Sequence, residues 1–257
     1  MKLGAQVYSV RNYIQTPEDY SQTMKKLKAA GYDTIQHAGP DIPDPYLLRD
    51  LTQEAGLAHI CPNINKAPLL EDPKKVIECI RVLGCDSMML PYVGCNSRVT
   101  LESFLEGWKP LEAALLQLQE AGIRLCYHNH DFDIAPMSNW DGSFVDYLFE
   151  NKPEWEFILD VAWSEYAGVD TMAYLDKLHK RLNCVHFKDF TATITAGHIP
   201  YFIACGEGKV NLSTYAEKVK ALGIEDVIVE QDNAQDYPEP FGQMSMSAQN
   251  VRKLFAK

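Results

Sequence analysis

Of the 257 residues, 24 are Lys or Arg and 35 are Asp or Glu, a formal net charge of −11 that repels nucleic-acid phosphates and anionic lipid headgroups. The densest basic stretch, Lys177, Lys180 and Arg181, follows a helical pattern and reads as a solvated face, so neither nucleic acid nor a membrane is expected as a partner. Apolar residues at 46% and charged residues at 23% suit a globular chain that buries a core without staples, and seven cysteines with no C-x-x-C pair argue against a disulfide framework.

In chain order, KLGAQVY opens the sequence as a strand over 2–8. Thr16 then caps a helix with Pro17 in its first turn, and Tyr20, Met24 and Leu27 line one face. This helix stops at Gly31 and is followed by an apolar run at 34–37. The same joint recurs: TQEAGLAHICP, IRVLGCDSMMLP, LQEAGIRLCYH and VKALGIEDVIVE each end a helix at a glycine (56, 84, 122 and 223) and start a strand. Pro73 opens a further helix, Pro110 breaks the long helical pattern of 100–121 with a new start near Lys109, and Ser143 caps another. The strands read as 2–8, 34–37, 58–62, 87–91, 124–128, 155–160, 183–186 and 226–230. Eight strands alternating with helices predict an α/β chain, a (β/α)8 TIM barrel in a single domain over residues 1–257. A doubly wound sheet is disfavoured because no glycine-rich phosphate loop follows the first strand. Segments 131–142, 189–208 and 232–246 are irregular and follow strands, which places them on the face where barrels build their sites. No secretory leader pattern follows Met1 and no stretch has the length of a membrane span, so a cytoplasmic protein is expected.

Strands five to eight end in His128, Asp160, His186 and Glu230. A carboxylate at a strand end often only caps the next helix, but two carboxylates and two imidazoles converging on one barrel mouth form a mixed nitrogen and oxygen set. That set suits one divalent metal such as Mn²⁺, Zn²⁺, Fe²⁺, Co²⁺ or Mg²⁺. His130, two residues beyond His128, is a candidate base. Lys188 either stabilises an enolate or pairs with Asp189. Glu207 orients substrate or caps the helix near Asn211, and Gln6 and Tyr8 on the first strand close the pocket. Trp163, Tyr166 and Trp140 form either a wall for a sugar face or packing under loops.

The blocks YHNHDFD (127–133), ILDVAW (158–163), VHFKD (185–189), CGEGKVNL (205–212) and VIVEQD (227–232) resemble those of the xylose-isomerase-like barrels, nearest to their sugar phosphate isomerase/epimerase branch. The resemblance implies Asp160, His186 and Glu230 as metal ligands. It also shows a departure, since His128 stands where many relatives carry a glutamate, and Trp163 stands where sugar epimerases often carry a histidine. This pattern is also similar to inosose dehydratases and to lyases or hydratases of 3-keto-sugars. The implied activity is a metal-dependent isomerase/epimerase that abstracts a proton next to the carbonyl of a ketose or keto-sugar, with Glu230, His128 and His130 as the groups that move protons. The alternatives are a dehydratase or lyase acting on a keto-inositol or 3-keto-glycoside, and a non-catalytic sugar-binding barrel. The partner is a small carbohydrate, and the sequence leaves a homo-oligomer open.

Overall fold

The computed structural model describes residues 1–37, 44–93, 100–194 and 200–256. Cys95 and the centre of the 189–208 segment lie outside the described residues. The strands are β1 (Lys2–Gln6), β2 (Thr34–Gln36), β3 (Ala58–His59), β4 (Ser87–Leu90), β5 (Arg124–His128), β6 (Glu156–Asp160), β7 (Leu182–Phe187), β8 (Asp189–Ile194), β9 (Pro200–Ile203) and β10 (Asp226–Val229). Eight of them form one sheet in the order β3-β2-β1-β10-β7-β6-β5-β4, and β8 and β9 form a separate hairpin. The curled parallel sheet with helices around it is the (β/α)8 barrel expected from the sequence.

Two compact units make up the chain, Met1–Ile60 with Cys184–Lys257, and Cys61–Asn183. In the first, β1 pairs in parallel with both β2 and β10, and β10 pairs with β7. In the second, β5 lies between β4 and β6. There the chain just after β3 continues the pairing: Met89 donates its N–H to Pro62 O at 2.9 Å and Ile64 donates to Met89 O at 3.1 Å.

The local signals act as their chemistry requires. Thr16 Oγ1 accepts the Asp19 N–H at 3.1 Å and Ser143 Oγ accepts that of Asp146 at 3.1 Å, which satisfies first-turn donors that have no partner inside the helix. Gly31 closes the helix Pro17–Ala30 at φ 103°, a conformation that strains any residue with a Cβ, and Tyr32 N–H then reaches back to Leu27 O at 3.2 Å. The same left-handed glycine stands at the other four predicted joints. Pro110 breaks its helix as expected, leaving Leu101–Trp108 and Glu112–Glu120 on either side of one 3-10 turn.

Three expectations are corrected. The first strand stops at Gln6, because the Gln6 side chain accepts the Tyr8 N–H at 3.3 Å and turns the chain into a 3-10 helix, Val7–Tyr13. The third strand is two residues long, and Cys61 leaves it with φ 37°. The 189–208 segment carries the β8–β9 hairpin, anchored by Asp189, whose carboxylate accepts the N–H groups of Phe190, Gly206, Gly208 and Val210 at 2.9–3.0 Å. Among the described residues no helix is long and apolar enough to cross a membrane, and six cysteines are free thiols.

Two further histidines stand at strand ends, His37 buried and His59 half-buried. His37 follows β2 and His59 ends β3, with ring centroids 6.4 Å apart and Tyr20 6.2 Å from His37. Burial disfavours the imidazolium and pushes His37 down to about 3, aided by His59, and pushes His59 down to about 4. Both rings are therefore neutral when folded, whereas the unfolded chain takes up protons near 6.5. Their contribution is complete above pH 6.5 and is lost as pH falls toward 3 to 4. Between pH 7 and 5 each ring should cost the fold about 2 kcal/mol. Urea unfolding at the two pH values tests this, since His37→Phe should lose part of the acid sensitivity, and an unchanged pH dependence would refute the assignment.

Candidate active site

In the first unit the site is built on the ends of β1, β2, β7 and β10. Gln6 and Gln36 end adjacent strands in direct register. His186 lies on β7, and Glu230 follows β10, held there by its N–H to Phe187 O at 3.1 Å. The His186 ring is bracketed by acceptors, with Nδ1 3.0 Å from Glu230 Oε2 and Nε2 2.7 Å from Gln36 Oε1. Gln6 Nε2 donates to the same Gln36 oxygen at 2.9 Å. Lys188 Nζ stands 3.0 Å from both Glu230 Oε2 and Asp232 Oδ1. An ammonium buried this deeply is tolerated only beside carboxylates that compensate its lost hydration.

In the second unit, β5 and β6 present His128 and Asp160, with Nε2 and Oδ2 3.4 Å apart. The two oxygens of Asp160 have different tasks. Oδ1 accepts the N–H groups of Ala162 and Trp163 at 3.0 and 2.9 Å, capping the helix Val161–Tyr166, and this fixes the rotamer that turns Oδ2 toward His128. Helix capping and site building thus belong to the same carboxylate. Asn129 and Ser164, which the sequence did not flag, hold its backbone: Asn129 Oδ1 accepts the Asp160 N–H at 2.9 Å, and Ser164 Oγ donates to Asp160 O at 2.7 Å.

The remaining predicted residues divide. Strand β5 ends at His128, so His130 lies beyond it, half-buried, with its ring edge-on to His128 at 4.9 Å and stacked on Phe132 at 5.2 Å. Its Nδ1 is 3.5 Å from the buried carboxylate of Asp133, which also accepts Tyr127 Oη–H at 2.7 Å. Trp163 is buried against His130 and Tyr166 at 5.6 and 5.9 Å, and Trp140 packs on Tyr147 at 5.8 Å. Gln6 is buried in the hydrogen-bonded row. Tyr8 is 39% exposed under the Arg11 guanidinium rather than on the strand. Lys188 pairs with Glu230 and Asp232, because Asp189 is committed to the hairpin's backbone. Glu207 is exposed and accepts Asn250 Nδ2–H at 3.1 Å; Asn211 caps the next helix itself.

His128, Asp160, His186 and Glu230 make a buried His–Asp–His–Glu group that could bind a metal ion. Two imidazoles and two carboxylates supply four donors and, when both carboxylates are ionised, two negative charges, a set that fits a divalent cation. The family's own model matches residues 24–245, and the chain belongs to the xylose isomerase-like TIM barrel family. No curated protein matches it in sequence. Similar solved structures include a sugar phosphate isomerase/epimerase from Parabacteroides distasonis ATCC 8503, with 19% identity, 100% of this chain and 95% of that one covered and a TM-score of 0.77. The probable 3-DHS dehydratase AsbF of Bacillus anthracis, involved in petrobactin synthesis, shares 12% identity over 98% of this chain and 99% of its own, with a TM-score of 0.74. The IolI protein, described with a binding zinc atom, shares 14% identity over 100% and 98%, with a TM-score of 0.71. At these identities the likeness is one of fold.

Removing the Asp160 carboxylate should separate its two tasks. Asp160→Ala is expected to lose metal retention after dialysis against Mn²⁺ or Zn²⁺ and about 1 kcal/mol of helix-cap stability. Asp170→Ala, which removes the cap Asp170 gives Ala173 at 3.0 Å, should lose only the stability. Wild-type metal content in Asp160→Ala, read by elemental analysis, would remove Asp160 from the ligand set.

Proposed function

We propose that this protein is a divalent-metal-dependent isomerase or epimerase that moves a proton on the carbon next to the carbonyl of a ketose or keto-sugar. The observation that carries the reading is the donor set itself, two histidine–carboxylate pairs buried at the ends of four barrel strands. Membership of the xylose isomerase-like family supports it.

His128, Asp160, His186 and Glu230 would hold the ion, and a divalent ion there supplies the positive charge that lowers the cost of an enediolate oxygen. Glu230 is the base. Its carboxylate lies beside His186 and the Lys188 ammonium, and Lys188, 3.0 Å from Oε2, holds it in place and stabilises its ionised form. Lys188 returns charge balance when Glu230 takes the proton, since Asp232 continues to compensate the ammonium. The His128 and His130 pair handles the second proton: His130 is the more exposed ring, and Phe132 stacks on it. Return of the proton to the opposite face of the same carbon is epimerisation, and return to the neighbouring carbon is isomerisation.

A second reading, β-elimination of water from a keto-sugar or keto-inositol, is favoured by one observation. Lys188 places a proton donor beside the base, so a C–H proton taken by Glu230 and a proton given to a departing hydroxyl have separate carriers. The two readings divide in one experiment. Metal-supplemented protein is incubated in D2O with ketoses, keto-inositols and 3-keto-glycosides and followed by NMR. Isomerase or epimerase activity should place deuterium on carbon next to the carbonyl with no loss of water, whereas elimination gives an unsaturated product. His128→Gln should lower turnover by about 10²-fold or more while losing less metal than activity. Loss of metal in step with activity would make His128 a ligand only, and inertness toward every substrate class at full metal occupancy would leave the sugar-binding barrel as the better account.

A further inference from the structure

Neither Gln6 nor Gln36 carries a charge, and neither can act as an acid or base near neutral pH, yet both are buried at the ends of β1 and β2. We propose that they are positioning residues which determine the nitrogen of His186 that bears the hydrogen. One group in the row cannot be reversed. The backbone N–H of Tyr8 is only a donor, so the Gln6 side-chain atom 3.3 Å from it is the oxygen. That places the Gln6 amide nitrogen toward Gln36 at 2.9 Å, and the atom it meets must be an acceptor, the Gln36 oxygen. The same oxygen lies 2.7 Å from His186 Nε2. Two oxygen lone pairs therefore receive two donors, and His186 carries hydrogen on Nε2. Turning either amide over would set donor against donor in a space closed to water.

The row runs from a main-chain N–H through two amides to an imidazole, and its end is that Nδ1 is the nitrogen directed at Glu230, 3.0 Å from Oε2. A neutral amide suits this duty. It fixes the ring's direction and the place of the hydrogen and adds no charge of its own. The consequence for metal affinity rests on the metal reading above, but the hydrogen's position on the ring does not, and the two can be measured apart.

Long-range ¹H–¹⁵N NMR of the histidine rings tests the row in the full chain, first metal-free and then with Zn²⁺ as a diamagnetic probe. Wild-type His186 should show hydrogen on Nε2 in both states, with Zn²⁺ shifting Nδ1. Gln36→Met, which keeps the length and removes the acceptor, should speed exchange of that hydrogen with water and weaken Zn²⁺ binding by about 10- to 100-fold. Gln36→Glu restores an acceptor and should recover most of that loss, which mere filling of space would not. Gln6→Leu should act in the same direction and more weakly. Hydrogen on Nδ1 with a bare Nε2 in wild type, or a Gln36→Met protein with unchanged ring shifts and exchange, would overturn the proposal; should that variant not fold, the wild-type spectrum alone decides. If wild type takes up no Zn²⁺, the metal reading fails while the metal-free spectrum still judges the row.

Discussion

An ionised side chain withdrawn from water must recover its hydration from the protein, and that requirement organises the strand ends of this barrel. Glu230 is only 7% exposed and draws on the Lys188 ammonium. Lys188, in turn, needs a second carboxylate and finds it in Asp232. Asp160 has two backbone N–H groups on one oxygen and His128 facing the other. Each group is intelligible only through its partner, so single substitutions here remove one charge and strand another.

The same compensation explains how a rigid scaffold provides reactive groups. Parallel strands end in step, and their side chains meet where the hydrogen-bonding ladder no longer occupies the backbone. Asp160 shows the economy of this placement: its helix cap selects the rotamer that the site needs. Stability and geometry are obtained from the same two hydrogen bonds, and the short helix that follows β6 positions Trp163 beside His130.

The barrel was legible because its signals are local. Glycine at a left-handed helix end, an apolar run and a titratable residue at the run's end recur with little dependence on distant contacts. Gln36 escaped notice for the opposite reason: an amide at a strand end has no distinctive chemistry until its neighbours are known, and those neighbours are 30 and 150 residues away. Asn129 and Ser164 were hidden in the same way, acting on the Asp160 main chain rather than on any reacting group. Tyr8 was misplaced because alternation continues past Gln6 although the Gln6 side chain ends the strand. Lys188 and Asp189 adjoin in sequence, but their side chains serve different structures, one the site and the other the hairpin.

One carboxylate, Asp189, gathers the main chain at both borders of the hairpin segment, from Phe190 to Val210, and a side chain at Gly208 would collide with it and with Phe190 O. Closing a flexible loop between fixed ends costs only about 0.6 kcal/mol for each doubling of its length. The clasp does not act alone, since Ser247 Oγ accepts the Cys205 N–H at 3.0 Å and Tyr237 Oη–H donates to Phe202 O at 3.1 Å. With the segment's borders held this way, a longer or shorter stretch between them would cost the chain little in closure entropy.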